Sequence, residues 1–135
     1  MARVNNEAAL KRCAVAQLNH LALAVQDPHR SLHFYRDVIG VEGTIRREQY
    51  GFVITTPRGV TFTLFEGRPA TDTGEFHLGV ALPDGDAVRA RREKLLAAGV
   101  PEIEWCDEDG YVSMKVRDPD GYVVEVAWDE KYLNP

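Results

Sequence analysis

Two cysteines in 135 residues, Cys13 and Cys106, are too few for a disulfide framework and show no metal-type spacing. No apolar run approaches the roughly 20 residues that span a bilayer, so a membrane protein is not expected. The opening "MARVNNEAALKRCAVAQ" lacks the continuous apolar stretch of a secretory leader, and a reducing cytoplasm is the expected compartment. A basic excess is missing too. Lys and Arg number 16 against 21 Asp and Glu, a net charge of −5, which argues against electrostatic binding of nucleic acid. Basic residues do gather, Arg46 with Arg47 and Arg89 with Arg91 and Arg92, and the second group, on an expected helix, is read as its solvated outer face. A small-molecule partner fits this balance, on one domain or two small modules sharing a core.

What is present is a repetition. "LNHLALAVQD" (18–27) and "FHLGVALPD" (76–84) share H-L-x-x-A-x-x-D, matching His20 with His77 and Asp27 with Asp84. After each, the pattern turns helical. Asp27 is a candidate N-cap with Pro28 at the first helical position, Leu32, Tyr35 and Ile39 form an apolar stripe, and Gly40 is a stop. In the second copy Asp84 and Asp86 are the caps, Val88, Leu95 and Leu96 the apolar positions, and Gly99 the stop. Strands are expected near 42–47, 50–56 and 60–66, then near 102–106, 111–117 and 122–128. "TPRG" (56–59) and "DPDG" (118–121) are turns at matching offsets. The plan is β-α-β-β-β written twice, an α+β fold. The expected boundaries are 17–66 and 76–128 for the modules and 67–75 for a polar linker. An extension over 1–16, helical over 5–16, precedes them and a tail over 129–135 follows.

Aligning the two turns on Gly59 and Gly121 sets Thr63 opposite Glu125, each four residues after its glycine. His20, Thr63, His77 and Glu125 are therefore four equivalent positions, flanked on their strand faces by small or apolar residues. A lone histidine on an apolar strand is usually a satisfied core residue. Glu125 within "YVVEVAW" is harder to place so, because a buried carboxylate costs several kcal/mol unless paired or protonated. A metal between the histidines, or a hydrogen-bonded network without metal, would supply the partner.

The stretches "NHLALAVQD", "RSLHFYRDVIGV", "HLGVAL" and "DPDGYVVEV" resemble the vicinal oxygen chelate superfamily, which includes glyoxalase I, extradiol dioxygenases, fosfomycin-modifying enzymes and bleomycin-resistance proteins. The resemblance implies two modules forming a curled mixed sheet that encloses a cup-shaped site, with metal ligands on the first and last strands of each module. Carried over, the ligands are His20, His77 and Glu125. The fourth position, glutamate in glyoxalase I, is Thr63 here, and Glu66 has the wrong strand parity to replace it.

Two histidines and one carboxylate leave metal positions open and suit Fe(II) or Mn(II), with Zn(II) as a further candidate. Tyr111, Ser113 and Lys115 share one strand face, with Tyr111 and Lys115 as candidate acid–base groups. Thr63, Ser113, Tyr50 and Trp105 are candidate substrate contacts, with Trp128 beside them. The expected function is a metal-dependent enzyme acting on adjacent oxygens, extradiol dioxygenase-like. The alternatives are a fosfomycin-type lyase or transferase, whose threonine is Ala22 here and whose phosphonate would find only Lys131 beyond the last strand, and a non-catalytic drug-binding protein. A homodimer is the expected assembly.

Overall fold

The structure is a computed structural model that describes residues 16–70 and 72–132. The extension over 1–15, with it the helix expected over 5–16, and the end of the tail lie outside the described residues.

The first module runs β1 (His20–Val25), α1 (Pro28–His33), β2 (Thr44–Glu48), β3 (Gly51–Thr55) and β4 (Thr61–Glu66). The second runs β5 (Leu78–Ala81), α2 (Gly85–Ala97), β6 (Glu102–Glu108), β7 (Tyr111–Arg117) and β8 (Val123–Asp129). Helix starts are set as their sequences suggest. The Asp27 carboxylate accepts the N–H groups of His29 at 3.0 Å and Arg30 at 3.3 Å, and Asp84 accepts that of Ala87 at 2.7 Å. The first helix does not stay α-helical to Ile39. From Phe34 it widens into a π-helical stretch, which buries Phe34, Tyr35 and Ile39 together and stops at Gly40 in the left-handed region (φ 84°).

The α+β plan of two βαβββ modules is what the structure has. The modules form two four-stranded mixed sheets, ordered β1-β4-β3-β2 and β5-β8-β7-β6, and neither closes. In each the first strand runs parallel to the last, and the registers are equivalent. Ala22 sits opposite Thr63 and Gly79 opposite Glu125, in both cases two residues after the module's histidine. β1 and β5 each pair on one side only, so each sheet presents an unpaired edge among the described residues.

Alternation sends Leu23 and Val25 of β1, Phe62 and Leu64 of β4, and Val124 and Val126 of β8 into a single core shared by both modules. Polar contacts knit the modules around that core. Lys94 of α2 donates to the carbonyl of Asp37 at 2.9 Å, and Arg91 donates to that of Ile39. The DPDG turn docks on the first module. Asp118 accepts from Tyr35 at 2.6 Å, and Asp120 accepts from the Gln26 N–H at 3.1 Å and from Arg30 and Ser31 at 3.3 Å each. Tyr122 donates to the carbonyl of Ala24 at 2.8 Å. Among the described residues no helix is long and apolar enough to cross a membrane.

Candidate functional site

The side chains that point away from the core line one face of each sheet. On the second sheet, strand parity puts Glu125 and Asp129 of β8 on that face with Tyr111, Ser113 and Lys115 of β7. Glu125 is its centre. Its Oε1 accepts from Ser113 at 2.6 Å and Tyr111 at 2.8 Å, and its Oε2 stands 3.0 Å from His77 Nε2. Partial burial acts to raise the carboxyl pKa, but the donors Ser113, Tyr111 and His77 outweigh it and hold the group below the usual range, so it is ionised. For Tyr111 the neighbouring Ser113 hydroxyl acts to lower the phenol pKa, yet desolvation and Glu125 carry it above the ordinary value. It remains a donor.

His77 carries the most informative geometry. Its Nδ1 lies 3.0 Å from the Glu75 carbonyl, which only accepts, so that nitrogen bears hydrogen. Its Nε2 faces a carboxylate oxygen, which also only accepts. Both ring nitrogens thus face oxygen acceptors, and His77 with Glu125 is the part of this face that could hold a metal, with Tyr111, Ser113 and the Glu75 carbonyl orienting the two groups from behind.

The remaining expected ligand is elsewhere. His20 opens β1 on the corresponding face of the first sheet, in the same parity as Thr63. Among the described residues no three His, Cys, Asp or Glu side chains gather into a metal-binding group, so one chain does not bring His20 to His77 and Glu125. His20 is nonetheless prepared. Its Nδ1 lies 2.6 Å from the side-chain oxygen of Asn19, and its Nε2 has no hydrogen-bond partner among the described residues.

Lys115 is in register with Glu125 but reaches the other way, to Glu104 at 3.4 Å. Trp105 lies on the opposite face of the sheet, under the Arg92 guanidinium at 4.3 Å. Tyr50 is exposed in the turn before β3, beside His29 and Phe52. Neither aromatic joins the Glu125 cluster. A cavity of about 420 Å³ does adjoin it, floored by Gly79, Ala81 and Ala127 and walled by Trp128, with Tyr111 and Asp129 at its far end. Trp128 Nε1 is buried without a hydrogen-bond partner among the described residues. The reading of the sequence missed Asp129, although it lies four residues beyond Glu125 and so shares its parity. The Glu75 carbonyl, a backbone group, left no signal to find.

Paired βαβββ modules, one histidine opening β1 and the other immediately preceding β5, follow the vicinal oxygen chelate type of fold. The chain belongs to the Glyoxalase/Bleomycin resistance protein/Dioxygenase superfamily, whose family model matches residues 17–126. Among solved structures it is similar to lactoylglutathione lyase from Agrobacterium tumefaciens, at 21% identity and a TM-score of 0.68 over 88% of this chain and 98% of that one. It is similar also to the genomically encoded fosfomycin resistance protein FosX from Listeria monocytogenes, at 17% identity and a TM-score of 0.71 over 84% and 93%. A glyoxalase/bleomycin resistance protein/dioxygenase from Nocardioides gives 18% identity and a TM-score of 0.67 over 96% and 94%. Likeness at this identity establishes fold alone. No curated protein matches. Superfamily members generally use divalent metals, bind small molecules and often form dimers.

Proposed function

We propose that the protein is a divalent-metal-dependent enzyme acting on a small molecule with two adjacent oxygens, extradiol ring cleavage being the favoured reaction, and that a second copy of the chain completes its site. The observation that carries this is the His77–Glu125 pair, two oriented groups that could hold a cation yet make only part of a ligand set. His77 Nε2 and Glu125 Oε2 from one chain and His20 Nε2 from a second would hold the metal, Fe(II) or Mn(II) ahead of Zn(II). The unpaired edges of β1 and β5 are the surfaces through which two copies would align these groups.

When bound, the metal polarises the two substrate oxygens and stabilises negative charge on them. The chain's own residues do the rest. Ser113 and Tyr111 fix the carboxylate plane through Oε1. The Glu75 carbonyl holds the His77 ring. Thr63 takes the place of a fourth ligand on the first sheet and leaves a coordination position to substrate. Tyr111, which lines the cavity, would act as an acid–base group on bound substrate only by releasing Glu125 Oε1. Lys115 is the cation nearest in register to the carboxylate and would act as an acid–base group only after leaving Glu104.

Two alternatives rank lower. A phosphonate-directed lyase or transferase calls for cations around the anion; Lys115 and Arg117 line the groove at His77, but the former pairs with Glu104, and the cavity on the Asp129 side of Glu125 has no lysine or arginine among its described lining. A drug-binding protein would need no metal. Elemental analysis of gently purified protein beside a His77→Ala variant separates them. Near-stoichiometric Fe or Mn that the variant loses, with oxygen consumption on catechols, is expected. Absence of metal after reconstitution would overturn the reading and leave the drug-binding alternative.

A further inference from the structure

The cavity beyond Glu125 is lined by charge of one sign only. Two carboxylates line it, Glu125 and Asp129, and no lysine or arginine does among the described residues. Glu125 is occupied by His77, Ser113 and Tyr111. Asp129 is not. Its Oδ1 accepts the Lys131 N–H at 2.9 Å, which sets the plane of the carboxylate, and its Oδ2 has no hydrogen bond among the described residues. It stands opposite Tyr111 in register and four residues from Glu125, about 13 Å along an extended strand. Between the two ends the floor is Gly79, Ala81 and Ala127, side chains too small to fill the space or to offer a hydrogen bond. On the first sheet, the face a second copy would bring, Arg46 is already paired with Glu48.

We infer that Asp129 is a specificity-determining residue, and that the substrate is a compact apolar molecule carrying its adjacent oxygens at one end and a cationic or hydrogen-bond-donating group at the other, which Asp129 receives. This rests on the reading of His77 and Glu125 given above. Once a divalent cation offsets Glu125, Asp129 is the uncompensated charge of the pocket, so a substrate anion at that end is repelled and a cation drawn in. The half-exposed setting limits the effect to about tenfold in affinity for one unit of charge.

The test uses the full chain loaded with Zn(II), which binds without turnover, and three probes of matched shape: catechol, a catechol bearing an ethylammonium chain and a catechol bearing an acetate. Calorimetry is expected to rank ammonium over plain catechol over acetate, with about tenfold per unit of charge and so about a hundredfold between the extremes. In Asp129→Asn, which keeps the acceptor for Lys131 N–H and hence the local fold, the extremes should converge while plain catechol changes by less than about twofold. An ammonium-to-acetate ratio unchanged in the variant, acetate binding tightest, or no binding by any probe would overturn the inference. Failure of the underlying metal reading shows separately, as probe binding that His77→Ala leaves untouched and as missing Zn(II) in the same samples.

Discussion

The phenol of Tyr35 in the first module donates to the carboxylate of Asp118 in the second at 2.6 Å, and both residues are buried. The contact joins the π-helical stretch to the DPDG turn, so it fixes how the modules pack and which way their open faces look. Burial first, and then the Asp118 charge, holds the phenol pKa far above its usual value of 10.0. A folded-state pKa above the unfolded one means that the folded protein holds this proton more tightly. The stabilisation is complete below about pH 10 and is lost as pH rises beyond it.

Tyr35→Phe is therefore expected to cost about 1–3 kcal/mol at neutral pH, since Asp118 Oδ2 loses its donor. It should also flatten the fall in stability above about pH 10. Urea unfolding of both proteins from pH 7 to pH 11.5 measures this. Curves that run parallel through the alkaline range would show that the proton is not linked to folding. Asp118→Asn, which keeps an acceptor for the Asp120 and Tyr122 N–H groups, should cost less than Asp118→Ala.

The hydroxyls behind Glu125 should matter to metal rather than to folding. Ser113→Ala and Tyr111→Phe each remove one donor from Oε1 and leave Oε2 facing His77. Each is expected to weaken metal binding by about 10–100-fold, as loss of groups orienting a ligand does. Competition against a chelator of known affinity reads it directly, with the thermal midpoint of the metal-free protein as the control for fold.

Two glycines separate steric from conformational cost. At Gly51, where β3 begins, an added Cβ would stand 1.9 Å from the Leu64 carbonyl oxygen of the neighbouring strand, at φ 155°. Gly59 in the TPRG turn has φ 84° and nothing within 4 Å of such an atom. Gly51→Ala is expected to destabilise by about 3 kcal/mol or more and Gly59→Ala by about 1 kcal/mol. Equal midpoints in chemical denaturation would contradict the register of β3 on β4.

The repeat was the part of the fold most legible in the sequence. His20 with His77, Asp27 with Asp84, and the two Pro-Gly turns announced the modules, because a duplicated unit writes its caps and turns twice. Counting from Gly59 and Gly121 also anticipated the equivalence of Thr63 and Glu125 that the registers display. Strand parity correctly put Tyr111, Ser113 and Lys115 on one face, and that is the face on which Glu125 lies. What parity and spacing do not encode is how two modules sit on each other. That is decided by long-range contacts such as Asp120 with Arg30, and so the sequence alone could not say that the open faces fail to meet within one chain. Trp105 and Tyr50 went astray for a related reason. An aromatic on a strand is equally at home against a helix or at a turn, and the Arg92 stack and the β2–β3 turn claimed them.

The most direct test of a site shared between two copies is metal content after subunit mixing. His20→Ala and His77→Ala, purified apart and metal-free, are each expected to bind essentially none. Unfolded together at equal amounts, refolded and reconstituted, they should recover about a quarter of the wild-type metal, because about half of the dimers are mixed and each mixed dimer holds one intact site of two. Recovery at that level would place His20 of one copy beside His77 and Glu125 of the other. No recovery, or full metal retained by His20→Ala alone, would contradict a ligand set divided between chains.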